Sequence, residues 1–275
     1  MFNVRKSIIA ILASAAVATA AVSCDNTKKE RAEAAQDLLT KAEALVGAHK
    51  YDSAMVLLDT LDRSYRDCLE QRKAGTTVRL RALADLSRDS LASAELQLRE
   101  LKARLDELNP KFKKIEMTGT DGFFVYAPSY TGSEMNRTCI QPRVDDGGYF
   151  FIVANVAGKK IGLNSLEYNG VATARGESVV IEGSEIMSLS QESTRDFVDA
   201  LCKASAPANV TLQGTHGKTA VKIDAKGLEA IRATREYADA LQKNRSLNIT
   251  AEKLERQLAK LNDNIANQIP VDSVE

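Results

Sequence analysis

Tryptophan is absent from this chain, histidine occurs only twice, and no two of the four cysteines stand in C-x-x-C spacing. Together these gaps remove several chemistries. Without clustered cysteines and histidines there is neither a zinc knuckle nor a dithiol redox motif. His49 falls in a helix–helix turn and His216 in a hairpin turn, neither with a cysteine or carboxylate in ligand spacing. No G-x-S-x-G and no H-E-x-x-H is present. Gly214-Thr215-His216-Gly217-Lys218-Thr219 ends like a phosphate-binding loop. Leu212, however, stands where the first glycine belongs, and a strand follows where a helix is required. The chain reads as a non-enzyme, with no catalytic residue, no metal and no cofactor.

Charge of one sign is also missing. Lysine and arginine number 37, as do aspartate and glutamate. Without a basic stripe, nucleic acid is a poor partner. Hydrophobic residues make up 44% of the chain, enough for a packed core and too many for disorder. The longest apolar run, Ile8 to Val22, has about fifteen residues, short of the ~20 that span a bilayer.

Proline and glycine are scarce at both ends. Residues 28–109 hold only Gly47 and Gly75, whereas residues 119–217 hold 12 of the 15 glycines. Nine of the 14 Phe and Tyr residues lie between Phe112 and Tyr168. The order is therefore helical, then β, then helical.

The apolar run follows Arg5 and Lys6, as in a secretory signal peptide. Two cuts fit it. Ala18-Thr19-Ala20 suits an ordinary A-x-A site that releases a soluble protein. Ala21-Val22-Ser23-Cys24 resembles the lipobox of bacterial lipoproteins, with Ala21 where that family usually has leucine. The resemblance implies cleavage after Ser23, acylation of Cys24 (by palmitate among others) and attachment to the membrane through lipid. A single acyl chain holds only marginally, and two or more hold firmly. The expected location is the cell envelope of a diderm bacterium, at the outer membrane facing the periplasm. With Cys24 acylated, Cys68, Cys139 and Cys202 remain. They read as buried free thiols, with a Cys139–Cys202 disulfide as the alternative.

Residues 28–48 predict a first helix, and a second opens at Tyr51 with Asp52 placed to cap it. Leu39 to Tyr65, with Ala42 and Ala54 at the crossing and Tyr51 after the turn, resembles one tetratricopeptide-type hairpin. An ordinary αα-hairpin fits equally, and no second copy follows at a 34-residue period. Leu80, Ala84, Ser87, Leu91, Ala94, Leu98, Leu101, Leu105 and Leu108 then repeat at 4-3-4-3 spacing, a coiled-coil seam of ~43 Å. Asn109-Pro110 ends it. Leu247, Ala251, Leu254, Leu258, Leu261, Ile265 and Gln268 repeat the spacing near the C-terminus. They sit on one long helix or on two broken near Ser246, and fold back on the first seam or join a second copy. Between the helices, runs such as Phe150 to Val156 predict seven to nine mostly antiparallel strands. A short helix spans Ser193 to Lys203, and a hairpin with His216-Gly217 as its turn sets Leu212 opposite Val221.

The expected fold class is α+β: an N-terminal helical hairpin and long heptad helix, a small mostly antiparallel β domain, and a C-terminal heptad helix packing back on the first. The expected segments are a lipoprotein signal peptide at 1–23, helices at 24–110, the β domain at 111–225 and the last helix at 226–275. Taken whole, the chain resembles envelope lipoproteins that join a lipobox to helices and a β domain. That likeness implies a structural or protein-interaction module, with a protein partner or homo-oligomer meeting the heptad helices. The alternative is a binding protein for a small ligand or glycan, with Tyr126, Tyr130 and Tyr149 as its ligand face.

Overall fold

Helices enclose the β segment in sequence, and the computed structural model describes residues 24–117 and 120–268. The leader, including Ser23, lies outside the described residues. Helix α1 covers Cys24–Gly47, α2 Tyr51–Ser64, α3 Leu69–Leu108, α4 Gln191–Cys202 and α5 Ala225–Gln268. The described residues divide into two compact units, one formed by 24–86 with 259–268 and the other by Ser87–Leu258. Both α3 and α5 contribute to each.

In the first unit, Ala35, Leu39 and Ala42 of α1 pack with Leu58 and Leu61 of α2 and Val78 of α3. Ala42 and Ala54 are fully buried, so the hairpin helices approach through small side chains. His49 turns the chain with φ 56°, and its Nδ1 shares a hydrogen bond with the Tyr51 hydroxyl at 2.7 Å. Asp52 does not cap α2. Lys50 holds the cap position with no side-chain bond, and Asp52 lies in the first turn, where its charge still complements the helix N-terminus. Gly75 sits inside the continuous α3 where the hairpin packs closely, since a Cβ there would stand 2.8 Å from Leu61 Cδ2. Arg79 holds Asp59 at 2.8 Å and Asp62 at 2.9 Å on α2. Within this unit Thr77 of α3 donates to Gln268 of α5.

In the second unit the same two helices pack together. Arg104 pairs with Glu236, and the Tyr237 hydroxyl donates to Asn109 Oδ1 at 2.9 Å. Both contacts join α5 to α3 and the residue that follows it within one chain. Every residue of the predicted α3 seam is buried or partly buried. Helix α5 continues unbroken through Ser246.

The strands are β1 Phe112–Met117, β2 Thr120–Tyr126, β3 Cys139–Asp145, β4 Phe150–Ala157, β5 Leu163–Tyr168, β6 Val171–Ala172, β7 Ser178–Ile181, β8 Ser184–Ser190, β9 Ala208–Gly214 and β10 Gly217–Ile223. They form two antiparallel sheets, ordered β1-β2-β3-β4-β8-β7 and β10-β9-β5-β6. Ten strands exceed the seven to nine expected, and β1 and β3 account for much of the excess. Lys113 and Lys114 mark β1 as an edge strand. Pro142 argues against a central strand, yet β3 sits between β2 and β4. The conflict resolves in the register: β3 pairs with β4 along Cys139–Val144 but meets β2 only at Val144 and Asp145. The side of Pro142 that lacks a donor therefore faces no partner.

The β9–β10 hairpin also departs from expectation. Gly214 pairs with Gly217, so Thr215-His216 is the turn, Val210 faces Val221 and Leu212 faces Thr219. The core lies between the sheets. Val144, Phe150, Ile152, Met187 and Leu189 meet Leu163, Leu166, Val210 and Leu212, with Phe197, Val198 and Leu201 of α4 and Leu105, Leu108 and Tyr237 of the long helices.

Candidate binding cleft

Alternation along the larger sheet sends one set of side chains to that core and the other set outward. Val144 faces inward, as do Phe124, its partner on β2, and Phe150, its partner on β4. Phe123, Arg143, Phe151, Val153, Ile186 and Ser188 therefore share the outer face. Part of that face is roofed by residues 127–138. Asn155 of β4 fixes the roof by donating from Nδ2 to Glu134 O at 2.9 Å and to Arg137 O at 2.8 Å. Glu134 in turn accepts from the Thr131 backbone at 2.8 Å and its hydroxyl at 2.9 Å.

Beside the roof the outer face forms a cavity of ≈ 470 Å³, lined by Phe123, Arg143, Phe151, Val153, Ile186 and Ser188 with Tyr149 at its rim. A depression of ≈ 770 Å³ shares Asp145, Tyr149, Phe151 and Ser188 with it and continues past Arg195 and Gln242. These sizes lie in the range of small-molecule sites.

Arg143 dominates the electrostatics. Its guanidinium carbon lies 3.9 Å from the centre of the Phe123 ring, a cation–π distance. Its Nε donates to Gln141 Oε1 at 2.6 Å, and among the described residues no carboxylate pairs with it. Burial pushes its pKa down to about 10 against weaker opposing pulls from Tyr130, Glu134 and Cys139. The two aspartates at the rim are engaged elsewhere. Asp145 accepts from the Tyr149 backbone at 2.8 Å, holding the turn into β4, and Asp146 pairs with Lys114 at 2.9 Å.

The three predicted tyrosines occupy different places. Tyr126 lies on the inward face, 6% exposed, with its hydroxyl donating to Glu229 of α5. That bond and then burial raise its pKa. Tyr130 belongs to the roof, with Lys113 Nζ 5.6 Å from its ring centre. Tyr149 alone lines the cleft, 57% exposed. Cys24 is the first residue of α1. Cys68, Cys139 and Cys202 are free thiols, and burial pushes Cys139 and Cys202 above the ordinary thiol range. His216 shares a hydrogen bond with Thr215 in its exposed turn. Among the described residues no group of three or more His, Cys, Asp or Glu can hold a metal ion. None of the described helices is long and apolar enough to cross a membrane.

The sequence pointed to three tyrosines, of which only Tyr149 lines the cleft, and missed Phe123, Phe151 and Arg143. One signal for the arginine exists: Ile140, Pro142 and Val144 alternate with Gln141 and Arg143, the period of a strand with one polar face. Comparisons with protein-family models, curated proteins and solved structures find no match for this chain.

Proposed function

We propose that this chain is a lipid-anchored envelope protein that binds a small ligand, without catalysis, in the cleft on the outer face of its larger sheet. One observation carries the reading. Phe123, Phe151, Val153 and Ile186 form an apolar floor beside a roof that leaves it open, and Tyr149 stands exposed at the rim. The heptad surfaces, which favour a structural or interaction module, are engaged with each other inside the chain. The resemblance of Ala21-Val22-Ser23-Cys24 to a lipobox supports the anchor.

The two halves of the proposal have separate tests. Cells expressing the full chain and fed labelled palmitate are expected to label the wild type and not Cys24→Ala. The variant should pass from the membrane to the soluble fraction, and an unlabelled wild type would refute the anchor. For the cleft, the mature chain is titrated with small aryl and alkyl compounds while NMR follows the Phe and Ile side chains. Perturbation at Phe123, Phe151 and Ile186 is expected, with weakening in Tyr149→Ala. Changes confined to other residues count against the site.

A further inference from the structure

Arg143 poses a question that the apolar floor does not. A guanidinium taken partly out of water carries a desolvation cost that a facing anion offsets. The titratable neighbours that act on it are Tyr130, Glu134 and Cys139, of which only Glu134 is an anion near neutral pH, and none of them forms an ion pair with it. Among the described residues only its Nε–H is bonded, which leaves the paired Nη groups as donors. Those two groups form a planar fork matched to a carboxylate.

Building on the cleft proposed above, we infer that it takes a small organic acid whose carboxylate meets the Nη groups of Arg143 and whose aryl or alkyl body lies over Phe151 and Val153. Three features select this class. Arg143 is the one cation lining the floor, and with Asp145 and Asp146 at the rim it suits a single negative charge and disfavours phosphates of higher charge there. The floor offers one hydroxyl, Ser188, among apolar side chains, so the many hydroxyls of a glycan would lose water without gaining partners. The aromatic walls match a flat or extended apolar body.

The test compares an acid with its uncharged twin on the folded mature chain. Calorimetry near neutral pH with 3-phenylpropanoate and 3-phenylpropanamide should show the acid binding at least about tenfold tighter, as expected for a charge-assisted bond. Arg143→Gln should erase that difference. Arg143→Lys, which keeps the charge and loses the fork, should restore part of it. Circular dichroism confirms that each variant is folded, and Tyr149→Ala, at an exposed rim position, should weaken acid and amide alike. Equal binding of acid and amide to the wild type overturns the charge inference and leaves the cleft standing. Failure of both compounds to bind overturns the cleft as well. A free acid and the C-terminal residue of a peptide share this chemistry. N-acetylphenylalanine binding more tightly than 3-phenylpropanoate would assign peptide ends, and the reverse would assign free acids.

Discussion

Replacing Glu185 with alanine is expected to lower the stability of the second unit by about 3 kcal/mol, because three donors lose their acceptor at once. Glu185 is 4% exposed. Its Oε2 accepts from the Ile161 backbone at 2.9 Å, and its Oε1 accepts from the Leu163 backbone and the Ser178 hydroxyl, each at 2.8 Å. Ser178 opens β7 in the larger sheet, whereas Ile161 and Leu163 lead into β5 of the smaller one. One carboxylate thus ties the two sheets together where the chain crosses between them. Glu185→Gln keeps the volume but turns an N–H toward backbone N–H donors, and should cost about 2 kcal/mol. Urea unfolding followed by hydrogen exchange at the β4 and β8 amides measures both.

The same residue gives the stability a pH dependence of definite sign. Burial pushes the Glu185 carboxyl up, and the bonds from Ser178, Ile161, Leu163 and Gly162 more than reverse this, so its pKa lies below the ordinary 4.5. Glu134 shifts in the same direction. A depressed folded pKa means that the unfolded chain takes up the proton first. The contribution is therefore complete above about 4.5 and is lost as the pH falls through the folded values. Acid destabilisation should be shallower in Glu185→Gln than in the wild type, and an equally steep decline would contradict the assignment.

Gly148→Val is the second large effect, again about 3 kcal/mol. Gly148 has φ +83°, and a Cβ there would stand 2.8 Å from Leu241 Cβ and 3.2 Å from the Gln242 backbone nitrogen on α5. A β-branched residue is poorly tolerated at that φ, and the helix facing it is backbone, which does not yield as a flexible side chain does. Strain of ~1–2 kcal/mol and overpacking of ~1–3 kcal/mol then combine. Gly158→Val separates them. Gly158 has φ +70° with nothing within 4 Å of its Cβ position, so only the strain should remain. Equal losses in the two variants would show that the contact with α5 contributes nothing.

Gly148 also marks how far the sequence could be read. The Asp145 to Gly148 stretch announces a turn, and a turn is present, with Gly148 N donating to Asp145 O at 3.0 Å. That the same glycine admits a helix from the far end of the chain has no local signature. The long helices were legible because their seams repeat over many turns, and the ends of such a pattern do not affect its register. Strands were legible where apolar runs were long, as in Phe150 to Val156, and were lost where a local preference opposed them, as at Pro142. The hairpin register hung on which pair of residues forms the turn: Gly214 and Gly217 bracket Thr215-His216, whereas Gly217 is itself a turn residue in the His216-Gly217 choice. The tyrosines illustrate a different limit. Tyr126 ends β2, where strand parity turns it to the core, whereas Tyr149 lies in the turn before β4 and stands at the rim. Arg143 became visible as a site only when pairing placed Phe123 beneath it.

The division of α3 and α5 between two compact units has a consequence for synthesis. Residues from both ends of the chain build the first unit: it begins with the α1–α2 hairpin, and Leu261, buried, joins it from α5. All of Ser87–Leu258 must leave the ribosome before that unit can close. The second unit is continuous in sequence and needs no later residue, so the order of completion is opposite to the order of translation.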